Sequence, residues 1–189
     1  MSEFHNLINS NLFQGRIFFD KSLENLTWLK VGGRASCLYI PKNKKDLSVF
    51  LKQINDKVKI NVFGRLSNVL IRDGGISGVT ILIPPSFSEI EIHRNNKITL
   101  SSGMLDKNVS KLAFDNNLGG FEFLSGIPGN IGGAIAMNAG CYGSEIKDIV
   151  EEVLILERDG KLKSYNNCLL YTSPSPRDQR GSGLRWWWL

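Results

Sequence analysis

Apolar residues recur along this chain with two periods, and the periods divide it into helices and strands. In residues 44–55, Leu47, Phe50, Leu51 and Ile54 stand at i, i+3, i+4 and i+7, the stripe of a helix packed on a sheet. Residues 106–116 form the next predicted helix, with Val109, Leu112 and Ala113 turned inward, Asp106 as the N-cap and Gly119 just past the end. Phe4, Leu7, Ile8 and Leu12 predict a further short amphipathic helix over residues 3–13. Elsewhere the pattern is that of strands. Residues 35–40, ended by Pro41, residues 59–63, and residues 79–83, ended by Pro84 and Pro85, read as strands, with a turn at Asp73-Gly74-Gly75 and Gly78. Residues 90–93 and 97–100 flank Asn95-Asn96, and residues 150–157 and 161–165 flank Asp159-Gly160. Both pairs predict hairpins, because these turn residues tolerate positive φ. Strands, a helix, a glycine-rich stretch and a return to strands describe an α+β organisation rather than a doubly wound sheet.

Two stretches follow neither pattern. From Gly119 to Gly143 the chain reads GGFEFLSGIPGNIGGAIAMNAGCYG and holds eight of the nineteen glycines. Pro128 suits the first turn of a helix, which predicts a short helix over residues 129–137. Its N-terminus would offer free N–H groups, and Gly132, Gly133, Ala134 and Ala136 would admit an anion such as a phosphate or a second backbone. A bend packed tightly against a sheet fits the same spacing, and no Walker-type motif decides between the two. The second stretch, Gly64-Arg65-Leu66-Ser67-Asn68, follows the strand over residues 59–63, where ligand loops commonly sit. Read alone, Ser67-Asn68 is a turn capped by its own side chains.

Composition narrows the picture. A length of 189 residues with 42% hydrophobic content suits one soluble domain or two small lobes. No apolar run approaches the roughly 20 residues of a membrane helix, and MSEFHNLINSN lacks the features of a signal peptide, so a cytoplasmic protein with no membrane partner is expected. Cys37, Cys141 and Cys168 are few and scattered, as are His5 and His93, which predicts reduced thiols and no metal site. Of the formal charge of +5, residues 168–189 supply +2 through Arg177, Arg180 and Arg185 against Asp178. The other basic residues are dispersed, the pattern of a solvated face, and no nucleic-acid partner is expected.

Phe123 to Gly143 closely resembles the flavin-binding signature of the UDP-N-acetylenolpyruvoylglucosamine reductase family, FAD enzymes of bacterial peptidoglycan synthesis. TWLKVGGRA, from Thr27 to Ala35, and FGRLSNVLIRDGGISG, from Phe63 to Gly78, are similar to the same family in the same order. The resemblance implies a two-lobed FAD-binding domain of the PCMH or vanillyl-alcohol-oxidase type, with lobe 1 in residues 1–84, lobe 2 in residues 85–167, and the C-terminal substrate domain missing. It implies FAD, NADPH as reductant and a UDP-sugar substrate for the full-length enzyme; no histidine or cysteine falls where a covalent flavin link could be argued, so noncovalent binding is expected. It places Gly64, Ser67, Asn68, Ile127, Pro128, Gly129, Gly132, Gly133, Asn138, Gly140, Tyr142 and Gly143 on or beside FAD. For Tyr142 a core position is an equal reading of the residue itself. The family carries a second glycine where this chain has Leu66, which predicts a Cβ branch that holds the backbone off the phosphates.

No catalytic residue is assigned. The family draws its catalytic serine, glutamate and arginine from segments that this chain does not match, and Tyr171-Thr172-Ser173 has threonine where a Tyr-Arg-x-Ser element carries its charge. Residues 168–189, CLLYTSPSPRDQRGSGLRWWWL, resemble translated adaptor sequence and read as a non-native tail. The chain is thus expected to be a truncated reductase. A non-catalytic FAD-binding module, an incompletely folded fragment and a piece of another flavin oxidoreductase of the same fold are the alternatives.

Overall fold

The computed structural model describes residues 12–167. The tail from Cys168, and all but the last two residues of the helix expected over residues 3–13, lie outside the described residues. The described residues fall into two compact units. The first is the chain up to Phe87 together with Arg158–Lys161, and the second is Ser88–Glu157 together with the chain from Leu162.

The first unit is built on a four-stranded sheet in the order β1-β2-β4-β3, where β1 is Arg16–Ser22, β2 Arg34–Ile40, β3 Ile60–Phe63 and β4 Ile76–Leu82. β1 runs antiparallel to β2, and β4 runs parallel to both β2 and β3. Cys37, Leu38 and Tyr39 are buried in succession, so both faces of β2 are covered. Helix α1, Lys44–Gln53, begins at Asn43, whose side chain accepts the Asp46 N–H. It buries the predicted stripe Leu47, Phe50, Leu51 and Ile54. Phe50 stacks on Tyr39 with ring centroids 3.6 Å apart. Asp46, also buried, has both oxygens engaged: it accepts hydrogen bonds from the Tyr39 hydroxyl at 2.7 Å, Lys42 N–H at 2.8 Å and Gln14 N–H at 2.6 Å. Gly78, expected at a turn, lies inside β4, which starts three residues before the predicted strand. The register advances by two residues on β2 and three on β4 there, a bulge. Gly78 has φ +81°, and a Cβ on it would stand 2.2 Å from the Lys59 carbonyl.

The second unit carries three two-stranded ribbons and two helices. Both predicted hairpins form, β5 Ile90–Ile92 with β6 Ile98–Leu100 and β9 Glu152–Leu156 with β10 Leu162–Asn166. Between them lie helix α2, Asp106–Asp115, helix α3, Ile131–Met137, and the short ribbon of β7, Gly140–Cys141, with β8, Ser144–Glu145. Its core joins Val109 of α2, Phe123 and Leu124, Ile131 and Ala134 of α3, and Ile146. Three local expectations change. Leu105, with no side-chain bond, is the N-cap of α2, so Asp106 is its first helical residue. Asn117, with φ 57°, takes the left-handed position after α2 that was expected of a glycine. Leu112 is half-buried, whereas Val109 and Ala113 are buried as expected. Among the described residues no helix is long and apolar enough to cross a membrane.

Candidate functional site

The residues singled out in the sequence lie on turns, within the short helix α3 and on β7, some in each unit. In the first unit β3 leads into Gly64-Arg65-Leu66-Ser67-Asn68, and the conformation of Leu66 shapes this turn. Its φ is 53°, the left-handed region that glycine adopts freely, and its side chain is buried among Leu23, Ala35, Leu38 and Ile71. The strain of about 1–2 kcal/mol for a branched residue there is offset by about 2 kcal/mol from burying a leucine. The branch expected to stand between backbone and phosphate is therefore packed in the core. Ser67 is half-buried and Asn68 and Arg65 are exposed.

The turn is tied to the other stretch of this unit that carries the resemblance. Trp28 N–H donates to the Leu66 carbonyl at 3.2 Å, and Gly33 N–H donates to the Arg72 carbonyl at 3.2 Å. A side chain on Gly33 would strike the Asp73 carbonyl at 2.4 Å, so glycine is what allows the two segments to meet. Buried Thr27 holds the loop from inside. Its Oγ1 lies 3.0 Å from the Glu24 carbonyl and 2.8 Å from that of Val31, and accepts the Val31 N–H at 3.2 Å.

In the second unit a 3-10 turn over Glu122–Gly126 leads through Ile127, Pro128 and Gly129 into α3, which starts two residues later than predicted. The start of α3 is closed against residues 102–106. Ile131 N–H donates to the Met104 carbonyl and Gly132 N–H to the Ser102 carbonyl, each at 2.9 Å, Asp106 N–H reaches the Gly129 carbonyl at 3.4 Å, and Leu105 and Asn130 form a single β-bridge. A Cβ on Gly132 would stand 2.8 Å from that of Ser102, whereas on Gly133 it would meet only the Asn130 side chain, at 3.1 Å. Gly132 thus serves the packed-bend reading, and a side chain on Gly133 would press on that of Asn130 alone.

Past α3, Asn138 ends the helix in the left-handed conformation and both ends of its amide are engaged. Nδ2 donates to Glu145 Oε2 at 2.8 Å and Oδ1 accepts Lys147 N–H at 3.0 Å. Glu145 is also paired with Lys147, and these two partners, the lysine foremost, hold its carboxyl below the usual range. The bonds brace the ribbon of β7 and β8, whose two-residue turn is Tyr142 and Gly143 with φ 54° and 83°. Two successive positive φ values make the tight hairpin turn whose twist suits paired strands. Tyr142 is 91% exposed, which removes the core reading of this residue. Its ring lies over Gly126, where a Cβ would approach Tyr142 Cε2 to 3.5 Å.

The sequence reading missed the environment of Asp106. This residue is completely buried, and neither carboxylate oxygen has a partner among the described residues. Burial alone pushes its carboxyl up to about 7 from an ordinary 3.8. The signal was present: positions 106, 109 and 113 lie on one helical face, so the predicted cap stands on the inward stripe.

A family model described as FAD binding domain matches residues 35–166. The chain belongs to the FAD binding domain family. Over 141 residues it is 52% identical to a UDP-N-acetylenolpyruvoylglucosamine reductase of Orientia tsutsugamushi (strain Ikeda), a match covering 73% of this chain and 46% of that protein. Over 156 residues it is 44% identical to the protein of the same name from Rickettsia canadensis (strain McKiel), covering 82% and 52%. The structure of the UDP-N-acetylenolpyruvylglucosamine reductase (MurB) from Thermus caldophilus superposes with a TM-score of 0.67 at 28% identity, over 82% of this chain and 53% of that one. Physcomitrella patens BBE-like 1, at 18% identity and a TM-score of 0.54 over 80% and 36%, shares the fold. The resemblance drawn from the three motifs holds, and so does the α+β flavoprotein fold it implies. The chain spans about half the length of the curated relatives it matches. As an FAD binding domain its turns also suit the cofactor chemically. Neither residues 64–68 nor residues 126–133 contain a carboxylate that would repel a pyrophosphate, and Ser67 and Asn68 offer small polar groups; the free N–H groups expected at the start of α3 are not all free, since those of Ile131 and Gly132 are taken by the carbonyls of Met104 and Ser102.

Proposed function

We propose that this chain is the flavin-holding part of a UDP-N-acetylmuramate dehydrogenase. FAD, when bound, would supply the redox chemistry that carries a hydride from NADPH to the enolpyruvyl group of UDP-N-acetylglucosamine enolpyruvate, giving UDP-N-acetylmuramate for peptidoglycan precursors. The residues of this chain bind and orient. By the family resemblance, Gly64, Ser67, Asn68, Ile127, Pro128, Gly129, Gly133, Tyr142 and Gly143 are the residues that contact the cofactor. Gly132, Gly140 and Asn138 act one step back. Gly132 lets α3 seat on Ser102, Gly140 lets β7 lie against β8, and Asn138 braces the ribbon that carries Tyr142. The observation that carries this reading is the Leu66 turn, where a bulky residue adopts the glycine-like backbone and removes its side chain from the exposed face.

A second reading concerns turnover. We infer that the residues of this chain hold FAD and do not by themselves oxidise NADPH at an enzymatic rate. We place it in the cytoplasm with its relatives' substrates. The test is gel filtration of the purified 189-residue chain after incubation with FAD, followed by an NADPH oxidation assay with the UDP-sugar substrate. The expected result is flavin absorbance under the protein peak and no oxidation above free FAD. A folded, monodisperse protein that elutes colourless overturns the binding reading, and substrate-dependent oxidation overturns the second.

A further inference from the structure

We propose that the proton on Asp106 is a latch that keeps the start of α3 seated on residues 102–106, so that this part of the glycine-rich run opens as Asp106 ionises. The argument starts from what surrounds the carboxyl. Asp106 is fully buried at the first position of α2, and both of its oxygens lack partners among the described residues. A second polar group in the same place, Ser102 Oγ, is buried and equally unpartnered. Segment 102–106 is sealed by four backbone contacts with the start of α3: Met104 with Ile131, Ser102 with Gly132, Asp106 with Gly129, and the bridge between Leu105 and Asn130. An ionised carboxylate there has no donor to meet it among the described residues, and hydrating it requires the covering segment to lift.

Among the described residues no neighbouring charge offers another way out. Residues 101–105 and 127–132 contain no titratable side chain. Lys107, Lys111 and Asp115 of α2 are exposed, and Glu122, also exposed, accepts the Gly120 N–H. Burial is accordingly the one cause that raises the Asp106 carboxyl to about 7. The direction follows. The seated state holds its proton up to about 7 and the open state releases it near 3.8, so opening becomes easier as pH rises between these values and levels off above them. By contrast, buried Asp46 accepts three hydrogen bonds, shared between its two oxygens.

The inference uses contacts within the second unit alone and would survive failure of the flavin reading. It is tested on the full chain without FAD by amide hydrogen exchange at Ile131 and Gly132, corrected for the intrinsic pH dependence of exchange. The expected result is opening that rises roughly tenfold per pH unit from pH 5 to about 6.5 and flattens near 7. In Asp106→Asn the profile should be flat. Should the amide not fold, Asp106→Leu provides the same comparison without a titrating group. A carboxyl-carbon NMR titration of Asp106 in the wild-type chain gives an independent reading. A midpoint near 4, or the same pH profile in wild type and variant, overturns the latch.

Discussion

At the scale of single residues, Leu66 and Asp106 show how much a side chain's direction decides. Leu66 combines an unfavourable backbone with a favourable burial, and the burial is the larger effect. Replacing it with glycine should relieve the strain of about 1–2 kcal/mol but forfeit the buried side chain, for a net loss of about 1–3 kcal/mol in urea unfolding. FAD affinity should change less than threefold, because the leucine side chain is buried away from the exposed face. A large gain in affinity from Leu66→Gly would mean that the leucine does hold phosphates off. The turn residues here were legible in the sequence, since glycine, serine and asparagine declare a turn by their local chemistry. That Leu66 turns inward was not, because it depends on Leu23, Leu38 and Ile71 from three separate parts of the chain.

At the scale of elements, the ribbon of β7 and β8 is too short to stand alone, and Asn138 joins it to α3 with two side-chain hydrogen bonds. Asn138→Gly keeps the left-handed backbone and removes only those bonds, so it isolates their contribution. It should cost about 1–3 kcal/mol and weaken FAD retention on gel filtration although the amide is engaged within the protein. Unchanged retention would separate Asn138 from the site. Acidification should loosen the same ribbon, because the carboxyl of Glu145 is held below its ordinary range and its pairing is lost as pH falls through that lowered value. The amide exchange of Ser144 and Glu145 reports this directly. Periodicity found α1 and α2 to within two residues of their ends, and both long hairpins, because each buries one stripe or one face. It took Asp106 for the cap that is Leu105, and it misplaced the start of α3, where the carbonyls of Ser102 and Met104 take the N–H groups of Gly132 and Ile131.

At the scale of the whole molecule, pH couples to stability through Asp106. Because its carboxyl is raised from 3.8 to about 7, the native state binds more protons than the unfolded state in that window, and stability is fullest below about 4 and falls as pH rises to 7. The loss from this one group is on the order of 4 kcal/mol at most. Urea unfolding from pH 4.5 to 7.5 should show it, superposed on the opposite trend of ordinary carboxylates, and Asp106→Leu should remove it. Equal pH dependence in the two proteins would show that the carboxyl is not buried as described. The sequence by itself determined the α+β class, the helices with one-sided stripes, the hairpins and the family to which the three glycine-bearing stretches belong, since each is written in local spacing or in a contiguous motif. Only the tertiary structure decided which glycines make room for backbone, as Gly33 and Gly132 do, which way Leu66 and Tyr142 face, and that Asp106 is sealed without a partner among the described residues. Those outcomes depend on residues far apart in the chain meeting at a few ångströms, and no local pattern encodes that distance.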